Sequence, residues 1–259
     1  MAMGLQPKAP AVQFFGRVYP AGLTINANAP DVVYRSHDGA INGTIDVVVV
    51  NSEVSASWRT SDYDRKNLWP FWAHAQRITV AIVNLIAFRG GFAATVILDR
   101  YREENGFEDG ISFVEPKVAA LSPILESDDG LRSVFSILAN EQRLMVVLGD
   151  LIAGLWSQDH KVINCARSVE AIRQLVAGYS LTPKQQWPIF NDALNLNRDY
   201  VDLIMNHSKD PRHGKKPVSS PEEVTEIMKR TWIIFNRYFE YKLRGEQNLD
   251  TSIFPMLSG

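Results

Sequence analysis

The sequence predicts an α+β fold: an N-terminal β-rich region, a meander or small sandwich with one long helix, followed by a C-terminal antiparallel α-helical bundle. Two observations predict it. Through the first sixty or so residues, short apolar runs and a two-residue alternation are punctuated by Gly, Pro and Asn; beyond them the apolar spacing becomes three and four. Helix start and stop signals then recur through the second half. The expected division is 1–115 for the β-rich region and 116–259 for the helical bundle. The helix expected from Asp64 to Arg89 is apolar enough to pack against both.

In the first region, Val12 to Tyr19, Leu23 to Ile25 and Val32 to Tyr34 read as short strands separated by Pro20, by Asn26 to Pro30 and by His37-Asp38-Gly39. Ile41 to Trp58 is longer and β-branched. From Val50 it alternates, and the apolar run Val47 to Val50 predicts cover on both faces there. Asp62 or Asp64 caps the long helix, whose expected inner face is Leu68, Phe71, Ala75, Ile78, Ile82, Leu85 and Ile86. Pro70 falls in its first turn, where the missing N–H is harmless, and Gly90-Gly91 stops it. Ala93 to Tyr101 and Ile111 to Val114 then form a hairpin about Asn105-Gly106.

Four helices are expected after Pro116. Asp128 or Asp129 opens the first, which carries Leu131, Val134, Leu144, Leu148, Leu151 and Leu155. Ser157 caps the second, through Val162, Cys165, Val169 and Ile172 to the stop at Gly178. The third runs from Pro183 through Trp187, Phe190, Leu194 and Tyr200 to Ile204. The fourth has the clearest start: Ser220-Pro221-Glu222-Glu223 supplies an N-cap, a proline at the first position and a glutamate at the third, which is a capping box. Trp232, Phe235 and Phe239 on that helix are expected to face Leu144, Leu148, Val169 or Ile172.

Composition excludes several classes. A hydrophobic fraction of 46% with 22% charged residues is globular, and Lys+Arg 27 against Asp+Glu 29 gives no global basic field. The lone Cys165 excludes a disulfide scaffold and reads as a packed core thiol. No secretory signal is seen, and Ile78 to Phe88 is short of the roughly 20 apolar residues that span a bilayer, so a cytoplasmic protein without a membrane partner is expected. Dinucleotide, P-loop, nucleophile-elbow and zinc-protease motifs are absent, and no cofactor or metal is expected. Asp192, Asp199 and Asp202, taken to lie along one helix, read as a solvated acidic face rather than a divalent-metal site.

The segment that carries chemistry is Asn206 to Lys216, between the third and fourth helices. Lys209, Arg212, Lys215 and Lys216 concentrate positive charge there, immediately before a helix whose N-terminal dipole end adds to an anion site. These four are the candidate phosphate ligands. The alternative is a solvated connecting loop.

Arg212-His213-Gly214 before a long aromatic-rich final helix, with Arg237-Tyr238-Phe239-Glu240-Tyr241, resembles the HEPN superfamily (higher eukaryotes and prokaryotes nucleotide-binding domains) over residues 130 to 245. The resemblance implies a short helical bundle that commonly dimerises. It also implies either a metal-independent ribonuclease of toxin–antitoxin and antiphage systems or a non-catalytic module binding RNA or nucleotide. The nuclease motif of that family is an arginine, a spacer of four to six residues, and a histidine. With His213 as that histidine, the arginine's place holds Asn206, His207 or Ser208. Phosphodiester cleavage needs a proton acceptor, a proton donor and positive charge on the phosphate. His207 and His213, with Arg212, are the candidate catalytic residues should cleavage occur. The missing arginine favours a non-catalytic module that binds RNA, a nucleotide or a protein partner in bacterial stress or phage defence. A structural or assembly role is the remaining reading.

Overall fold

The computed structural model describes residues 10–36, 39–112, 122–156, 160–209 and 220–259. The chain forms two compact units, Met1–Ser112 and Phe113–Gly259, and its architecture is α+β.

The first unit is one antiparallel sheet, not a sandwich. Its strands are β1 (Val12–Tyr19), β2 (Ala27–Arg35), β3 (Asn42–Val50), β4 (Glu53–Arg59), β5 (Thr95–Glu103) and β6 (Glu108–Gly110), in the order β2-β3-β4-β1-β5-β6. The run Ile41 to Trp58 is not one strand but a hairpin. Asn51 and Ser52 both take positive φ, 51° and 67°, as a two-residue hairpin loop requires. Leu23 to Ile25 is not a strand: Ile25 N donates to Ser52 Oγ (3.0 Å) and Ser52 N to Ile25 O (2.9 Å), so the segment is tied to that loop instead. Asn26 to Pro30 is no spacer either, because β2 already begins at Ala27. Pro30 is tolerated because β2 is an edge strand with a register shift between Ala29 and Val32. Val47 and Val49 are buried but Val50 is exposed, so β3 is covered on one face only. Gly16 lies at a bulge where β5 passes so close that a Cβ would sit 1.9 Å from Ile97 O.

Helix α1 (Leu68–Gly90) follows a single 3-10 turn, Arg65–Asn67, that Asp64 caps; Gly91 ends it with a φ of 64°. Its sheet-facing side differs from the expected one. Phe71, Trp72, Ala75, Gln76, Thr79, Val83 and Ala87 are buried, whereas Ile78, Ile82 and Ile86 are half-buried and Leu85 is exposed. The reason is the open edge of β5. β6 pairs with β5 only from Arg100 to Arg102. Before that, α1 supplies the missing partners: Trp72 Nε1 donates to Leu98 O (2.9 Å), Gln76 Nε2 to Val96 O (2.6 Å), and Leu98 N donates to Gln76 Oε1 (2.9 Å). A glutamine amide thus stands in for a neighbouring strand and closes an edge that would otherwise expose unpaired main chain. Arg65–Gly90 is the one helical run among the described residues long and apolar enough to cross a membrane by length and composition, longer than the apolar run suggested. Its inner face is engaged with β5.

Among the described residues the second unit holds six α-helices, not four: α2 (Asp128–Asn140), α3 (Gln142–Trp156), α4 (Lys161–Ala177), α5 (Pro183–Leu194), α6 (Arg198–His207) and α7 (Pro221–Leu243). The first expected helix breaks at Glu141, whose φ of -124° and ψ of 85° leave the helical region. The third breaks at Asn195, which is left-handed at φ 51°. Ser157 lies outside the described residues, and α4 starts at Lys161, with His160 in the N-cap position and no side-chain cap. α7 starts as expected: Glu223 N donates to Ser220 Oγ (3.2 Å) and Ser220 N to Glu223 Oε2 (2.7 Å). α4 is central, packing against α3, α5, α6 and α7. Phe235 and Phe239 are buried in one core with Leu144, Val169 and Ile172, while Trp232 and Leu148 are half-buried at its margin.

Replacing Gln76 by leucine leaves Val96 O and Leu98 N buried without partners. A loss of about 1–3 kcal/mol is expected in urea unfolding. An unchanged midpoint for Gln76→Leu would show that the amide does not close the edge.

Candidate functional site

The candidate segment is flanked by the end of α6 and the start of α7. Tyr200, Val201 and Ile204 anchor α6 in the core and leave its last turn at the surface. Ser208 closes that turn, its Oγ donating to Met205 O (2.8 Å). Lys209 is exposed, with Nζ donating to Asn206 Oδ1 (2.9 Å). His207 lies against α7: its Nε2 is 4.0 Å from Glu223 Oε1. Arg212, His213, Lys215 and Lys216 lie outside the described residues. Of the candidate residues, the structure therefore places His207 and Lys209, and the carboxylate it brings to His207 is one the sequence marked only as a helix cap.

The electrostatics of the α7 start differ from expectation. Ser220 Oγ already accepts from Glu223 N, and Glu222 and Glu223 both stand in the first turn. The positive end of the helix dipole is balanced by its own carboxylates, so it adds little for an external anion. Positive charge at this site must come from the basic side chains.

Behind it, two arginines of α7 hold its neighbours, Arg230 the helix α6 and Arg237 the end of α5. Arg230 lies over the Tyr200 ring at 4.7 Å, donates from NH1 to Tyr200 O (3.2 Å) and pairs with Glu226 (2.9 Å). Burial pushes the Tyr200 phenol up to about 12, with Glu226 adding and Arg230 and Arg237 opposing. Arg237 is buried and donates to three main-chain carbonyls: Leu194 O (2.7 Å), Asn195 O (2.7 Å) and Pro255 O (2.6 Å). The first two belong to the C-terminal end of α5, where the helix dipole is negative. Asn195 Nδ2 holds the same tail through Leu249 O (2.7 Å) and Phe254 O (2.9 Å). Sequence reading had no signal for this cluster beyond the arginine itself, because its acceptors are carbonyls that any residue supplies.

Other candidates resolve as structural. Cys165 is buried, and burial pushes its thiol up to about 11. Asp192 lies on α5 while Asp199 and Asp202 lie on α6, so the three do not share one helix, and Asp202 pairs with Arg198 (3.3 Å). Among the described residues no cluster of His, Cys, Asp or Glu has metal-binding geometry. A groove of about 470 Å³ is lined by Ser133, Ser136, Asn140, Glu141 and Lys242. Several of its polar groups are engaged locally: Ser133 Oγ with Asp129 O, the Asn140 amide with Ser136 O, and Lys242 with Glu246. In the first unit, Tyr34 Oη and His74 Nδ1 lie 2.6 Å apart, joining β2 to α1. Forty residues separate the two, and neither periodicity nor motif brings them together.

A family model described as "Domain of unknown function (DUF8168) C-terminal domain" matches residues 131–243, from α2 to the end of α7. This stretch is similar to that family and ends with the helix that carries Arg237. No curated protein and no solved structure matches the chain.

Replacing Arg237 by methionine takes this donor from Leu194 O and Pro255 O, while Asn195 O keeps the Leu257 amide, and should cost about 1–3 kcal/mol. Hydrogen exchange at Leu249 and Leu257, whose amides bond to Ala193 O and Asn195 O, should accelerate first. Protection unchanged in Arg237→Met would remove the arginine from that role. The thiol gives a pH signature. Cys165 releases its proton near 9 when unfolded and at about 11 when folded, so between these values the folded state holds more protons and stability falls as pH rises. The slope is at most about 1.4 kcal/mol per pH unit from this group. Cys165→Ala should flatten the fall in denaturation series from pH 8 to 11; an identical decline would assign it elsewhere.

Proposed function

We propose that the second unit is a non-catalytic, HEPN-like module that binds RNA or nucleotide phosphates through Lys209, Arg212, Lys215 and Lys216, within a cytoplasmic stress or defence protein. The observation that carries this reading is the pair of helix ends that flank the basic run. α6 ends at His207 and α7 begins at Pro221, both anchored in one core, and the cationic run lies between these fixed ends with Lys209 exposed at its start. A connection anchored at both ends presents its charges at a lower entropic cost than a free tail.

Two facts support binding over cleavage. The family's arginine is absent at residues 206–208, and His207 stands beside Glu223, which also closes the α7 cap. A histidine turned towards the cap serves the helix junction. A dimer through the helical bundle is part of the same reading.

Arg212→Ala, Lys215→Ala and Lys216→Ala combined should weaken RNA binding and flatten its dependence on salt. Each lost contact to single-stranded RNA removes about 0.7 from the slope of log K against log salt, so the triple variant should lose about 2. Folding stability should change little on this reading. His213→Ala separates binding from chemistry: a ribonuclease loses cleavage and keeps much of its affinity, while a binding module shows no cleavage before or after. Wild-type protein that neither binds RNA or nucleotide at low salt nor cleaves RNA would defeat both, leaving the segment as a connecting loop.

A further inference from the structure

Arg173 on α4 and Arg237 on α7 are buried to the same degree, each 6% exposed. Arg237 donates to three main-chain carbonyls. Arg173 has no such answer: among the described residues no acceptor takes a hydrogen bond from it and no carboxylate forms an ion pair with it. Its Nε is sealed from solvent without a partner. Burial pulls the guanidinium's pKa down from its ordinary value, and Glu170, one turn earlier on α4, opposes this only through its field. A buried cation that the chain leaves unanswered opposes folding, and methionine or leucine would fill the place without that cost.

The guanidinium is nevertheless held in place. It lies over the Trp187 ring of α5 at 4.5 Å, and Trp187 meets the buried Phe190 edge-on at 5.7 Å. Stacking engages the flat face of the guanidinium, while its donors point outward in the plane, where the indole leaves them unused. Nη1 and Nη2, unlike Nε, are not sealed from solvent. The two parallel N–H donors at that end match the two oxygens of one carboxylate or phosphate. So small an opening admits one compact group and not a broad macromolecular surface.

We propose that the Nη end of Arg173, held flat on Trp187, is a binding site for a small oxyanion, a phosphate or carboxylate group. The anion supplies the acceptors that the chain withholds, which is why an arginine stands where an apolar residue would be more stable. The site uses none of the residues of the phosphate reading above and does not rest on it. That reading's cations also attract anions, so the experiment starts from the Arg212→Ala, Lys215→Ala, Lys216→Ala chain.

Inorganic phosphate and, separately, acetate are titrated into the isotope-labelled chain at an ionic strength held constant with chloride. The Nε–H resonance of Arg173, identified by its loss in Arg173→Lys, should move and saturate with at least one of them. The anion that saturates it at the lower concentration names the group. In chloride the thermal midpoint of Arg173→Met should equal or exceed that of the parent chain, because an unanswered charge has been removed. The better anion should raise the parent's midpoint with the logarithm of its concentration and leave that of Arg173→Met unmoved. Arg173→Lys keeps the charge but loses the fork, and should need at least about ten times more anion for the same rise. A resonance that neither anion moves overturns the proposal, as does an anion-dependent midpoint that survives Arg173→Met. A midpoint that falls in Arg173→Met in chloride overturns it too, because the chain itself then answers the guanidinium.

Discussion

A single buried guanidinium organises the end of the chain. Arg237 projects from α7 into the turn that ends α5, and the carbonyls of Leu194 and Asn195 are free to receive it because Asn195 turns left-handed and breaks the helix there. The same arginine takes Pro255 O, so the segment after α7 is drawn back beside Asn195, where Leu196 and Leu257 form a parallel bridge. A buried cation satisfied by main-chain oxygens is demanding in geometry. Three separate pieces of chain must meet it together, which couples the α5–α6 break, the α7 axis and the C-terminal tail.

The helix ends that flank the candidate segment inherit their positions from that coupling. α6 begins just after the Asn195 turn, and Arg230, about two turns before Arg237 on α7, holds α6 through the Tyr200 ring and carbonyl. Once these contacts are made, the distance between His207 and the Ser220 cap is no longer free, and the His207–Glu223 approach follows. The capping box is where local and tertiary structure meet: Glu223 closes its own helix through one oxygen and faces the neighbouring helix with the other.

In the first unit a different shortage governs. β6 is too short to cover β5, and α1 answers with a glutamine and a tryptophan at positions that hydrophobicity alone would assign to isoleucine and leucine. Unpaired main-chain groups cost more than half-exposed aliphatic side chains, so the polar need sets the rotation of the helix. Leu85 is what that choice leaves outside.

The sequence by itself determined the class and much of the punctuation. β1, the turn at Gly106, the stop at Gly91, the end of α4 at Gly178 and the Ser220 box are local events, fixed by residues within a few positions of one another, whereas the strand after Gly106 is Glu108–Gly110 and not the expected run from Ile111. The basic segment is equally local. Tertiary structure decided the rest. Asn51-Ser52 splits one apparent strand because the two halves pair with each other, and Asn195 splits one apparent helix because Leu249 and Phe254 wait more than fifty residues away. Gln76, Arg237 and the His207–Glu223 approach depend on main-chain groups or side chains supplied from elsewhere in the chain. Periodicity reports which residues avoid water; it carries no record of which distant carbonyl or amide needs a partner, and that need set these contacts.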